Sequence, residues 1–184
     1  MSTEQIVIDK SWTLFLDRDG VINMRLHNDY VKSPAEFRFL PGVVEAISRM
    51  SSLFSRIIVV TNQQGIAKGI YSHEDLASIH DLMKKTIEQG GGRIDAIFYA
   101  HHLASEHSPM RKPGIGMALE AKKLFPEIDF KRCIMVGDTE SDMQFARSAG
   151  MKAVYCNPEG KSALADLQVD SLAGFASYIS GSKA

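Results

Sequence analysis

The sequence predicts an α/β fold: a Rossmann-like parallel sheet with helices on both faces. Three observations carry that reading. Short β-branched or wholly apolar runs alternate along the chain with longer stretches whose apolar residues recur every three or four positions, the signature of strand–helix–strand crossovers. The apolar runs lack polar alternation, as expected of parallel strands buried on both sides. Polar residues also follow each of four strands: Asp17 and Asp19, Thr61 and Asn62, Lys112, and Asp138 with Asp142. In a parallel sheet these would collect at one edge, the carboxyl ends where open α/β sheets bind ligands.

Residues 1–11 read as a lead-in with an extra edge strand at Ile6–Ile8. The first central strand, Thr13–Leu16, stops at Asp17-Arg18-Asp19-Gly20, where glycine permits a sharp turn. Residues 18–40 are irregular. Pro41-Gly42 opens a helix whose face is Val43, Ile47, Met50 and Phe54. Ile57–Val60 is the second strand. Ser72 with Asp75 forms a capping box and starts a helix with the stripe Leu76, Ile79, Met83 and Ile87, ended by Gly90-Gly91-Gly92. Ile94–Ala100 is the third strand. A polar loop leads to Arg111-Lys112-Pro113 and a helix from about Ile115 to Phe125. Cys133–Val136 is the fourth strand, Asp142 and Met143 begin a helix stopped by Gly150, and Lys152–Tyr155 is the fifth strand. A last helix near Leu172–Ile179 is capped by Ser171.

Composition excludes several classes. A chain of 184 residues, 45% of them hydrophobic, is expected to form a single domain, residues 1–184, with a sizeable core. A net charge of -1 gives no general attraction to nucleic acid or anionic membrane, so neither is expected as a partner. Cys133 and Cys156 form no CxxC pair, which is compatible with a reducing compartment. The first residues carry no basic region followed by an apolar run, and no stretch is long enough to span a bilayer. The cytoplasm is the expected location.

Asp17 and Asp19, two apart at a strand end, repel unless a cation lies between them or one holds a proton. Mg²⁺ favours one or two carboxylates plus substrate phosphate, and Asp17 and Asp138 can supply them. Lys112 and Thr61 suit phosphate oxygens whose charge shifts in a transition state. An aspartate can attack phosphorus and carry the phosphoryl group covalently, while a second protonates the leaving oxygen and activates water. The expected partner is a small phosphorylated substrate.

Four motifs in order, Asp17-Arg18-Asp19-Gly20, Thr61-Asn62, Lys112-Pro113 and Gly137-Asp138-Thr139-Glu140-Ser141-Asp142, resemble those of the haloacid dehalogenase-like phosphatases. The resemblance covers roughly residues 12–157. Thr61–Gly69 and Arg111–Met117 look like the D-glycero-D-manno-heptose 1,7-bisphosphate phosphatase and histidinol-phosphatase group, and polynucleotide 3'-phosphatases share a looser version. The resemblance implies an Mg²⁺-dependent phosphatase with Asp17 as nucleophile and Asp19 as acid/base. It implies metal held by the Asp17 carboxylate, the Asp19 carbonyl and Asp138, supported by Asp142. Thr61, Asn62 and Lys112 would bind the transferring phosphoryl group, and Arg111 the rest of the substrate.

Two features depart from the group: Ile115 stands where the pattern usually has proline, and the zinc loop lacks its cysteines. Many members carry a zinc loop with four Cys or His ligands before the Arg-Lys-Pro. Here residues 100–110 contain His101, His102 and His107 but no cysteine, so zinc is not expected. The loops are also too short to bury a core of their own, so the fold is expected to be capless with an open site. Residues 23–33, 63–71 and 101–111 would set selectivity, and Arg25, Gln63, Lys68 and Arg111 are the substrate-binding candidates. A small sugar phosphate is the expected substrate, most of all a heptose 1,7-bisphosphate. Histidinol phosphate and a 3'-phosphorylated polynucleotide are the alternatives, as is a phosphate-binding regulator without turnover.

Overall fold

The computed structural model describes residues 6–181. Six strands form one sheet in the order β3-β2-β1-β4-β5-β6, with all neighbours parallel. The strands are β1 (Thr13–Leu16), β2 (Arg56–Asn62), β3 (Ala96–Ala100), β4 (Cys133–Gly137), β5 (Lys152–Cys156) and β6 (Leu167–Val169). The helices are α1 (Val43–Ser51), α2 (His73–Gln89), α3 (Gly116–Leu124), α4 (Glu140–Ala149) and α5 (Leu172–Gly181).

Alternation along the strands builds two cores. Leu14, Leu16, Ile57, Val59, Ile134 and Val136 face α1, α2 and α5. Phe15, Ile58, Val60, Cys133 and Met135 face α3 and α4. All four residues of β1 are buried, because β1 has neighbours on both edges and helices on both faces.

The chain moves outward from β1 through β2 and β3, then crosses back to β4 on the other side. The strand order therefore reverses at β1, which makes its carboxyl end the topological switch point of the sheet. Register levels the site: Leu16 pairs with Val59 of β2 and with Val136 of β4. Asp17, Val60 and Gly137 follow at the next level, and Asp17 N–H donates to the Val136 carbonyl at 3.0 Å.

The expected edge strand at Ile6–Ile8 is not formed; residues 6–8 are irregular. Ile6 is buried all the same, so its apolar character reflects packing and not pairing. The short strand β6 was not expected. Its Leu167-Gln168-Val169 is too brief and too polar to signal itself, and it forms by pairing with β5. Helix α4 begins at Glu140, earlier than expected, with Thr139 as N-cap and Asp142 as the third residue of a capping box. The capping box of Ser72 and Asp75 on α2 is present as read. Among the described residues no helix is long and apolar enough to cross a membrane.

Candidate active site

Three strand ends and one loop bring the predicted residues together. Asp17 follows β1 and is buried. Its Oδ1 lies 2.9 Å from Lys112 Nζ and accepts from the Arg18 N–H at 2.8 Å. Lys112 also reaches Asp142 Oδ1 at 2.6 Å and donates to the Val60 carbonyl at 2.9 Å. Burial disfavours its charge, but the carboxylates of Asp142 and Asp17 outweigh that and hold its pKa above the ordinary lysine value. Lys112 is therefore a fixed cation at the centre of the site. It precedes a cis peptide bond to Pro113.

Two glycines let the backbones close in. Gly20 has φ +93°, and a Cβ there would lie 2.0 Å from Asp138 Oδ2. A Cβ on Gly137 would lie 2.2 Å from the Asp142 Cβ. No other residue fits either position.

One oxygen each from Asp17, Asp138 and Asp142 come within 4.8 Å of one another. Burial, joined by the charge of Asp17, pushes Asp138 up to about 8. Burial also pushes Asp17 up, against the pull of Lys112. Crowded carboxylates of this kind suit a hard divalent cation with oxygen ligands, so the residues fit Mg²⁺. Arg25 lies at the same oxygens. Its Nη2 is 2.8 Å from Asp138 Oδ1, 3.0 Å from the Asp19 carbonyl and 3.8 Å from Asp17 Oδ2. Arg25 was expected to face substrate; in the structure it turns inward onto the metal-type oxygens.

Asp19 is held by three donors. Arg18 Nη2 and Asn23 Nδ2 donate to Oδ1 at 3.0 and 2.9 Å, and Gln63 Nε2 donates to Oδ2 at 2.9 Å. Burial raises its pKa, but the Arg18 charge and these hydrogen bonds outweigh burial and leave it below the usual carboxylate range. Gln63 was read as substrate-binding. It is buried, and its amide ties Asp19 to Thr61 Oγ1 at 2.8 Å and accepts from the Tyr71 hydroxyl at 2.5 Å. Asn62, also read as a phosphate contact, pairs its side-chain amide with the Lys112 backbone, accepting from N–H at 3.0 Å and donating to C=O at 3.1 Å. Both side-chain amides are therefore spent on neighbouring residues of the site, Asp19, Thr61 and Lys112.

A cavity of about 700 Å³ opens over this cluster, lined by Asp17, Asp19, Thr61, Lys112 and Asp142 and by Arg25, His27, Lys68 and Arg111 at its mouth. Nη1 of Arg111 is buried without a hydrogen-bond partner. The excursion after β1 is tied back by an antiparallel bridge between Asn23 and Phe39 and forms one wall. From it Tyr30 presents its hydroxyl to Gln64 Nε2 at 3.1 Å and Lys68 Nζ at 3.0 Å. His101 and His102 stack with ring centroids 4.4 Å apart. Among the described residues the carboxylate trio alone gathers closely enough to share an ion.

Sequence reading missed Arg18, Asn23, Tyr30, Tyr71 and His80. Arg18 sits between the two aspartates, and its position alone could have raised the question of how a cation there is oriented. Tyr30 and His80 carry no local signal, because their partners lie 34 to 62 residues away in the chain; Asn23 and Tyr71 bond nearer residues, Asp19 and Gln63, outside any motif that was read.

Comparison with known proteins agrees with this geometry. A family model for polynucleotide kinase 3 phosphatase matches residues 13–160. The D-glycero-alpha-D-manno-heptose-1,7-bisphosphate 7-phosphatase of Mycobacterium tuberculosis is 35% identical over 90% of each chain. The D-glycero-beta-D-manno-heptose-1,7-bisphosphate 7-phosphatase of Vibrio cholerae is 35% identical over 90% of this chain and 95% of that one. The D,D-heptose 1,7-bisphosphate phosphatase of B. bronchiseptica, solved with magnesium and phosphate, superposes with a TM-score of 0.85 at 30% identity, covering 94% of this chain and 99% of that chain. The switch-point carboxylates, the fixed lysine and these likenesses converge: the chain belongs to the haloacid dehalogenase-like phosphatases, in the group of the D-glycero-D-manno-heptose 1,7-bisphosphate 7-phosphatases, and is a phosphomonoester hydrolase.

Proposed function

We propose that the enzyme removes the 7-phosphate of D-glycero-D-manno-heptose 1,7-bisphosphate through a phosphoryl-Asp17 intermediate. The observation that carries the substrate class is the rim: Lys68 and Arg111 line the same cavity as Asp17, and Arg111 holds a buried donor with no partner. Lys112 and Thr61 already serve one phosphoryl group, so cations beyond them suit a substrate with a second phosphate. Histidinol phosphate brings an ammonium to that rim and fits it less well. A polynucleotide would need a basic stripe along its backbone path, and the net charge of -1 does not supply one.

In this reading a carboxylate oxygen of Asp17 attacks phosphorus, and the bond from phosphorus to the sugar oxygen breaks. The leaving oxygen takes a proton from Asp19. Water then gives a proton to Asp19, attacks phosphorus and frees both phosphate and Asp17. The depressed pKa of Asp19 suits the water-activating half. An anionic phosphate beside it raises that pKa and supplies the protonated form for the first half. Asp17, Asp138 and the Asp19 carbonyl, with Asp142 beside them, would hold Mg²⁺, which would supply charge neutralisation for the phosphoryl oxygens. Cys133 and Cys156 are buried and free, which supports work in the reducing cytoplasm.

The test is phosphate release with Mg²⁺ from both anomers of the heptose bisphosphate, histidinol phosphate and a 3'-phosphorylated oligonucleotide. The expected result is a kcat/KM at least about 100-fold higher for one heptose anomer than for the last two, the worth of a charged pair of contacts. Preference for histidinol phosphate or the oligonucleotide would overturn the substrate assignment.

A further inference from the structure

We propose that His80, on the buried face of α2, is a positioning residue that orients the acid/base Asp19 through the Arg18 guanidinium. The inference rests on the reading of Asp19 given above and extends it outward by two residues.

Arg18 is one of the most deeply buried side chains in the molecule, at 1% exposure. Its Nη2 donates to Asp19 Oδ1 at 3.0 Å, and its Nη1 lies 3.3 Å from His80 Nε2. Its Nε is buried without a partner. A guanidinium can only donate. Nε2 of His80 must therefore present its lone pair, the ring proton must sit on Nδ1, and the ring must be neutral. Burial and the neighbouring Arg18 charge enforce the same state, holding the His80 pKa down at about 3. The Arg18 fork is thus stretched between two acceptors, one on the catalytic loop and one on α2.

The pull has a consequence at Asp19. Oδ1 takes both Arg18 and Asn23, whereas Oδ2 takes only Gln63. Oδ2 is left as the oxygen with a lone pair to spare for the travelling proton. Without His80 nothing on the α2 side fixes the guanidinium, and a planar fork free to pivot no longer holds Oδ1. The loss would fall on proton transfer, not on substrate binding, because His80 lies outside the substrate cavity. It lines a separate cavity of about 270 Å³ with His73, Asp81, Lys84 and Tyr99.

The experiment compares a sugar phosphate, whose alkoxide needs a proton to leave, with p-nitrophenyl phosphate, whose phenolate does not. Rates of phosphoenzyme formation are read in a single turnover with Mg²⁺ for wild type, Asp19→Asn, His80→Met and His80→Gln. His80→Met keeps bulk without a good acceptor; the His80→Gln amide can accept from Arg18. The expected result is a fall of about 10-fold or more for His80→Met on the sugar phosphate, a fraction of the roughly 10²–10⁴-fold that a general acid supplies. On p-nitrophenyl phosphate the change stays within about twofold, KM is unchanged, and His80→Gln recovers most of the loss. His80→Ala adds an independent route, since imidazole added to that variant can enter the 270 Å³ cavity and restore the sugar-phosphate rate. Equal falls on both substrates, while Asp19→Asn still discriminates between them, would overturn the role of His80. So would a wild-type rate in His80→Met, or imidazole that stabilises His80→Ala without restoring turnover. If Asp19→Asn itself fails to discriminate, the acid/base assignment falls and takes this inference with it.

Discussion

Asp138 concentrates the electrostatic problem that the site poses. It is largely buried, beside another carboxylate, and raised to about 8. A group raised in this way holds a proton at neutral pH, so a cation that binds there must expel it. Mg²⁺ affinity should therefore rise with pH between about 6 and about 8, with protons released on binding. Arg25 adds a second competitor. Its Nη2 sits 2.8–3.0 Å from oxygens of Asp138 and Asp19, and a metal about 2.1 Å from the same oxygens leaves it no room. Calorimetric titration of Mg²⁺ in buffers of different ionisation heat checks both points. Arg25→Ala should bind Mg²⁺ several-fold more tightly, whereas weaker binding would show that Arg25 supports the metal instead of opposing it.

At the level of elements, the site depends on how strand ends meet. The register of β1 with β2 and β4 puts Asp17 level with Val60 and Gly137, and two glycines let Asp138 and Asp142 come close. Gly20→Ala places a Cβ 2.0 Å from Asp138 Oδ2 at φ +93°. Forced strain of that kind costs about 1–3 kcal/mol. An unfolding free energy in urea lowered by that amount and Mg²⁺ affinity reduced more than about 10-fold are expected, and wild-type Mg²⁺ binding would contradict the geometry. This level was also the most legible in the sequence. The runs Thr13–Leu16, Ile57–Val60 and Cys133–Val136 announced buried parallel strands, and the residues after them announced the site. The edge was less legible. Ile6–Ile8 looked like a strand and packs without pairing, while β6 pairs despite a polar centre. Nor could the sequence tell a residue that touches substrate from one that holds such a residue. Gln63 and Asn62 stand beside Thr61 but spend their amides on Asp19 and on the Lys112 backbone, partners 44 and 50 residues away.

For the whole molecule, one sheet does the organising. Reversal of strand order at β1 opens a crevice between two directions of winding, and Asp17, the proposed nucleophile, stands at its floor. Loops of modest length, not a separate cap, form the walls, so Tyr30, Lys68 and Arg111 line the cavity from short excursions. The proposed chemistry then depends on a single covalent event at Asp17. That event can be trapped: mix enzyme, Mg²⁺ and heptose bisphosphate, quench within the first turnover, reduce with borohydride and map the peptides. An acyl phosphate at residue 17 is reduced to homoserine. Homoserine is expected at position 17, dependent on substrate and Mg²⁺, and none in Asp17→Asn, whose turnover should fall more than about 10³-fold. Phosphate release with an unmodified Asp17, or reduction at another carboxylate, would contradict it.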